Sequence, residues 1–272
     1  MTVTAPGMTR VAGPAQALRL HWPDYLFEGG GLLAFMLGAG AFTTLFEHPG
    51  SPVHQAMGSD FSRHALTGLC MTGVTAAILL PPWAKRSGGH INPAVTWAFW
   101  RMGRIGGWDA VFYTVAQFTG AVIAPVILLL VLGSAFAHPE VKYATSMPGP
   151  LGPWVAFAGE FAITFVLMLA ILLCVGSKRL ERWTGLVAAV LVGLYIAFES
   201  PLSGMSMNPA RTFGSALTAG RWDGIWIYFT APPLAALAAA ALFERFGRTF
   251  IPDPHDPPHY PVRDPDTGEP AS

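Results

Sequence analysis

The sequence predicts an all-α membrane protein: six transmembrane helices plus two re-entrant half-helices in an inverted repeat. Three observations carry this. First, the 272-residue chain is 52% apolar but only 12% Asp, Glu, Lys or Arg, about half the roughly 25% charge of soluble domains. Second, six stretches approach the roughly 20 apolar residues that a helix needs to cross a bilayer. Third, the tripeptide Asn-Pro-Ala occurs twice, in matching places of a duplicated pattern.

Composition excludes several classes. A mean hydropathy of +0.45 leaves too few polar groups for a soluble coat or a disordered chain. Net charge is zero and the pI is near 7.1, so no basic footprint for nucleic acid exists. Cys70 and Cys174, both in apolar runs, make neither a disulfide framework nor a zinc site and read as core residues.

The six spans are 25–46, 65–84, 108–133, 154–176, 183–200 and 224–243. The first follows an N-terminal segment, 1–23. It is too long for a signal h-region, and no small-residue cleavage site follows it. The second should kink or finish at Pro81-Pro82. The fifth is the shortest and is cut off by Pro201. Residues 245–272 form a proline-rich tail, read as disordered, in which His255 and His259 are solvated rather than metal-bound. With the N-terminus inside, only Arg63, Lys142, Arg211 and Arg221 of the 16 Lys and Arg residues fall on the outside. That bias predicts both termini on the cytoplasmic side.

Two further apolar segments, 91–100 and 207–218, are too short to cross. Each contains one tripeptide, Asn92-Pro93-Ala94 or Asn208-Pro209-Ala210. Asn is a leading N-cap residue and Pro is favoured at the first helical position, so each tripeptide starts a helix. "FEGGGLLAFML" around Glu28 resembles "GEFAITFVLML" around Glu160. The repeating unit is three spans plus one half-helix. Three is odd, so the second copy is inverted, an architecture of transport proteins. The predicted organisation is one domain over 24–244, with repeats at about 24–134 and 154–244.

Half-helices entering from opposite faces meet tip to tip, presenting partial positive charge. Each Asn can spend its oxygen on its own cap and keep its NH₂ as a donor to the pore. A water held there accepts from both, and a proton wire is broken. The loops Ser87-Gly88-Gly89-His90 and Ser203-Gly204-Met205-Ser206 precede the tips. Backbone at this depth survives only where it lines a cavity or is buried in protein. The carbonyls of Gly88, Gly89, His90, Gly204, Met205 and Ser206 are therefore predicted as an acceptor ladder.

"SGGHINPAVT" and "MNPARTFGSAL" resemble the paired signature segments of the aquaporin, or major intrinsic protein, family. Glu28, Glu160, Gln117 in "AQFTGA" and "WIYFTAP" also sit where that family's pattern puts such residues. The likeness covers about 24–244. It implies an aquaporin-like fold and a passive channel for water or small neutral solutes such as glycerol, closed to protons and ions. Exclusion by half-helix dipoles and a pore arginine is the mechanism already attributed to such channels. The resemblance also implies a homotetramer in the lipid bilayer, without cofactor or enzymatic activity. Localisation in a bacterial inner membrane is expected.

Glu28 and Glu160 stand one per repeat. A proton relay is one reading of each. Their symmetry favours a brace for the loop N–H groups, as the family pattern implies. His90 is expected to pack against its loop rather than to gate. Counting from the motifs carries the family's outer constriction onto Thr72, Ile196, Met205 and Arg211. Water channels of the family place an aromatic and a histidine at the first two positions. Glycerol facilitators place aromatics around a wall and an Asp after the Arg, where this chain has Thr212. Ala216 and Tyr228-Phe229 lean toward the water-channel side. An apolar wall at Ile196 predicts admission of small polyols beside water. The rival class is a proton-coupled secondary transporter, which would need more mid-span carboxylates or histidines. A membrane enzyme would need a nucleophile or metal cluster that no motif supplies.

Overall fold

The computed structural model describes residues 13–250, and side chains through residue 246. Its regular elements are helical: α1 (Pro14–Glu47), α2 (Pro52–Ala56), α3 (Asp60–Leu79), α4 (Pro82–Ser87), α5 (Pro93–Arg101), α6 (Gly107–Leu132), α7 (Ser134–Ala137), α8 (Pro153–Val175), α9 (Thr184–Phe198), α10 (Ser200–Ser203), α11 (Pro209–Ala219) and α12 (Ile225–Phe250). Six are long: α1, α3, α6, α8, α9 and α12. The stretch Glu181–Phe198, which contains α9, and α1, α6, α8 and α12 are long and apolar enough to cross a membrane. α3 has 20 residues but carries Asp60, Arg63 and three threonines.

Helix ends differ from the sequence expectation in four places, each with a local cause. α1 begins at Pro14, at a position where a missing N–H costs nothing, and runs through Pro23. α3 spans 60–79 rather than 65–84. Asp60 favours its first turn, and Pro81 at ψ 156° is extended because Pro82 follows. α9 starts after a short 3₁₀ turn, Glu181–Trp183, and α10 restarts the helix around Pro201. α12 continues to Phe250, so the expected tail boundary at 245 falls inside a helix. His255, His259 and the rest of the expected tail lie outside the described residues, as does most of the N-terminal segment.

The two repeats pack alike. α1 lies on α6, α8 on α12, and α3 pairs with α9 between the halves. Close crossings explain this. A Cβ on Gly120 would overlap the Gly29 carbonyl, and one on Gly29 would sit 2.7 Å from the Ala116 oxygen. At the α3–α9 crossing, Gly68 and Gly193 bar a side chain on each other in the same way. Without hydrophobic drive between helices in lipid, small residues that let backbones touch supply the packing. Half-helix α11 seats on α6 where Gly214 meets the Ala121 backbone. At the α4 end, Asp109 accepts from the Tyr25 hydroxyl at 2.6 Å, and Arg86 donates to Asp24 at 3.0 Å. These bonds tie α1 to α6 and α4.

Candidate functional site

The half-helices α5 and α11 converge at their N-termini. Asn92 caps α5, its Oδ1 accepting from the Ala94 N–H at 2.9 Å. Asn208 caps α11, its Oδ1 accepting from Ala210 and Arg211 N–H at 3.0 and 3.2 Å. Each amide also reaches across. Asn92 Nδ2 donates to the Met207 carbonyl at 2.7 Å, and Asn208 Nδ2 donates to the Ile91 carbonyl at 2.8 Å. One hydrogen of each NH₂ is thus spent on the opposite loop and the second remains. The sequence reasoning gave both to the pore.

The loops entering the tips are left-handed at equivalent positions. Gly88, Gly89 and Ile91 have φ of 89°, 60° and 41°; Gly204, Met205 and Met207 have 75°, 42° and 55°. A β-branched residue at positive φ is a true outlier, and such conformations cost on the order of 1–3 kcal/mol each unless the surroundings hold them. The surroundings do. Glu28 Oε1 accepts from the Ser87 hydroxyl at 2.8 Å and the His90 N–H at 2.9 Å. Its Oε2 accepts from the Ile91 N–H at 2.5 Å and from Gln117 Nε2 at 2.8 Å. Glu160 does the same in the second repeat, accepting from Ser203 Oγ, Ser206 N–H and Met207 N–H at 2.8, 2.6 and 2.7 Å. Both glutamates are fully buried.

These bonds fix the carbonyls. In a trans peptide the C=O points opposite to the N–H of the next residue. His90 and Ile91 aim their N–H groups at Glu28, so the carbonyls of Gly89 and His90 point away from it. Ser206 and Met207 do likewise for Met205 and Ser206. The N–H groups of Gly89 and Met205 donate to Ser87 and Ser203 hydroxyls at 3.0 and 3.1 Å, which turns the Gly88 and Gly204 carbonyls outward too. All six carbonyls of the expected ladder therefore face away from the braces.

A further layer escaped the sequence reading. Tyr113 donates to the Ser87 carbonyl at 2.8 Å, and Tyr228 donates to the Ser203 carbonyl. His90 Nδ1 pairs with Thr96 Oγ1 at 3.1 Å and stacks on Phe99 at 4.8 Å. Ser206 pairs with Thr212 in the equivalent place. The signal that could have found these is the repeated Ser-Gly before each tip and the Thr four residues after each Asn.

The four expected constriction residues take these places. Thr72 donates to the Gly68 carbonyl of its own helix at 2.9 Å and lies against Gly193 of α9. Gly193 and Ile196 share a face of α9. Ile196 and Met205 belong to one apolar cluster with Ile163, Leu167, Val192 and Met207. Phe35 joins that cluster to a second one holding Ile91 and Ala210. Arg211 sits in the first turn of α11. Its Nη1 is shielded from solvent without a hydrogen-bond partner, and the Glu160 and Glu199 carboxyl groups and the Tyr228 hydroxyl lie within electrostatic reach of it. Among the described residues no group of three or more His, Cys, Asp or Glu could hold a metal.

This is an inverted-repeat membrane fold with two opposed, cross-bonded re-entrant helices. Residues 34–243 match the family model for major intrinsic proteins, and the chain belongs to the major intrinsic protein family. It is an integral membrane protein. It is 36% identical over 176 residues to aquaporin NIP1-3 of Oryza sativa subsp. japonica, covering 64% of this chain and 59% of that one. With aquaporin-4 of Rattus norvegicus it shares 38% over 195 residues, 69% and 57% of the two chains. The match thus spans about three fifths of the length of these relatives. The solved aquaglyceroporin from Plasmodium falciparum superposes with a TM-score of 0.68 at 18% identity, covering 85% of this chain and 99% of that one.

Proposed function

We propose that the protein is a passive channel for water and small uncharged solutes, closed to protons and ions. The observation that carries this reading is the pair of half-helix tips, each Asn bonded across to the other loop, with six carbonyls turned away from two buried carboxylate braces. Permeant molecules donate to the carbonyls of Gly88, Gly89, His90, Gly204, Met205 and Ser206. At the centre they accept from the second hydrogens of Asn92 and Asn208, beside Pro93, Ala94, Pro209 and Ala210. A water oriented by two donors turns both its hydrogens outward along the pore, so a proton cannot hop through. The positive ends of α5 and α11 oppose cations.

Thr72, Ile196, Met205 and Arg211 form the outer constriction in this reading. Arg211 donates to solutes and repels cations. Ile196 and Met205 give an apolar wall, where the carbons of a polyol such as glycerol can rest while its hydroxyls reach Arg211 and the carbonyls. The relatives are named aquaporins and the structural neighbour an aquaglyceroporin, which fits water with small neutral solutes. Glu28 and Glu160 serve as braces. The channel domain spans about 24–244 with its repeats at 24–134 and 154–244, and both termini are cytoplasmic. We place it in a bacterial inner membrane as a homotetramer, each protomer with its own pore. Stopped-flow light scattering of proteoliposomes under sorbitol, glycerol and urea gradients, with an internal pH dye, tests this. Rapid shrinkage with partial glycerol or urea re-entry and no pH change is expected. Vesicles no more permeable than empty liposomes would refute it.

A further inference from the structure

Glu199 has no counterpart in the first repeat. It ends α9 and is only 7% exposed, whereas Trp83 stands in the equivalent place before Ser87 and is exposed. Gly159 of α8 makes room for it: a Cβ there would lie 2.5 Å from Glu199 Oε1. That oxygen is shielded from solvent and has no hydrogen-bond partner. Glu199 Oε2 lies 2.8 Å from Ser203 Oγ, which also lies 2.8 Å from Glu160 Oε1 and accepts from the Met205 N–H at 3.1 Å.

Counting protons decides the state of this cluster. A serine hydroxyl has one hydrogen and two lone pairs. The Met205 N–H takes one lone pair. The single hydrogen can serve only one of the two carboxylates. The other contact joins two oxygens at hydrogen-bond distance, and it is attractive only if the carboxyl brings the hydrogen. Glu160 is held by two backbone N–H groups besides Ser203, which suits an anion. Glu199 has no other donor, and a buried carboxylate with one bare oxygen is costly. In the first repeat Ser87 faces only Glu28, whose fourth donor is Gln117.

We propose that Glu199 is a positioning residue for the outer constriction that stands as a neutral acid, its O–H donated to Ser203, so that Arg211 is balanced by Glu160 alone. The charged and titratable groups around it are Glu160 from α8, Arg211 from α11 and Tyr228 from α12. With the acid neutral, Arg211 and Glu160 sum to zero. Loss of the proton to the aqueous vestibule leaves the cluster at one net negative charge, and the Ser203 contact becomes repulsive. Glu199 is then drawn toward the unpartnered Nη1 of Arg211, and the cation barrier falls. The inference rests on the channel reading for its consequence, though not for its chemistry.

Two measurements on the purified full-length protein in proteoliposomes test it. Infrared difference spectra in H₂O and D₂O should show one protonated carboxylic acid at neutral pH. This band should fade at alkaline pH, be absent from Glu199→Gln and shift in Ser203→Ala. The ratio of potassium leak to water flux should rise about tenfold over the same pH interval in the wild type, a barrier change of about 1.4 kcal/mol, and stay flat in Glu199→Gln. No acid band at neutral pH, a band that survives Glu199→Gln, or the same leak profile in that variant overturns the proposal. The neutral amide is isosteric with a neutral acid, so failure of Glu199→Gln to fold also counts against it. Absence of wild-type water flux would instead sink the channel reading and leave the infrared result standing.

Discussion

Substituting Glu28 separates a brace from a proton relay. Glu28 serves four donors, two on each oxygen: Ser87 Oγ and His90 N–H, then Ile91 N–H and Gln117 Nε2. In Glu28→Gln one oxygen becomes an NH₂. Ser87 can rotate to accept from it, or Gln117 can flip its unpartnered Oε1 toward it. Neither backbone N–H can adapt, so one of them is orphaned. An orphaned buried donor costs about 1–3 kcal/mol, and the loss of charge from the surviving bonds adds about 1 kcal/mol, giving about 2–4 kcal/mol in all. Glu28→Ala orphans both and should cost about 2–6 kcal/mol before any cavity term. With the hold on Ile91 released, its left-handed backbone relaxes and the His90 carbonyl rotates out of line. Unfolding in detergent followed by tryptophan fluorescence gives the stability, and stopped-flow shrinkage gives the flux. The expected result is a graded loss, Gln before Ala, in both. Full stability in Glu28→Ala, or loss of pH-gradient-driven solute uptake in a Glu28→Gln protein of unchanged stability, would refute the bracing argument.

Three other outcomes are expected. Arg211→Val should keep water flow within about twofold and raise proton or small-cation leak tenfold or more, since each 1.4 kcal/mol off the barrier is about tenfold in rate; an unchanged pH-dye signal at equal protein insertion counts against the filter role. Ile196→His should lower glycerol permeation relative to water by adding a donor and narrowing the bore, and a wild type that excludes glycerol and urea while passing water removes the premise. Gly120→Val should destabilise the bundle by about 3 kcal/mol or prevent its assembly, because the new side chain meets the Gly29 backbone, which cannot swing aside; size-exclusion profiles and melting in detergent read this.

The caps and half-helices were legible because their signals are local. Asn followed by Pro is a local start signal that serves turns as well as helices, and its duplication inside two short apolar segments in matching places singled out both copies as helix starts. The end of α3 was misplaced because apolarity continues through Leu80, while the break depends on the backbone bias before Pro82. The first turns of α1 were missed because Arg19, His21, Pro23 and Asp24 read as an aqueous segment, yet Asp24 is buried and paired with Arg86. The cross-bonds of Asn92 and Asn208 link residues far apart in the chain, so no window of sequence contains them. Glu199 sits beside Pro201 at a helix end, where a carboxylate is ordinarily solvated. Only the space above Gly159 reveals that it is inside.

The reciprocal bonds from Asn92 to the Met207 carbonyl and from Asn208 to the Ile91 carbonyl also bear on biogenesis. Each repeat supplies what the other lacks, in the manner of an isologous two-fold contact within one polypeptide. While only the first half has left the ribosome, the Ile91 carbonyl and the Asn92 amide have no mates, and the first re-entrant loop cannot reach its final form. Its setting therefore waits for translation of α11, which makes the joining of the two half-helix tips a late, all-or-none event. A half-length chain expressed alone would satisfy the same bonds only by pairing with an inverted second copy of itself.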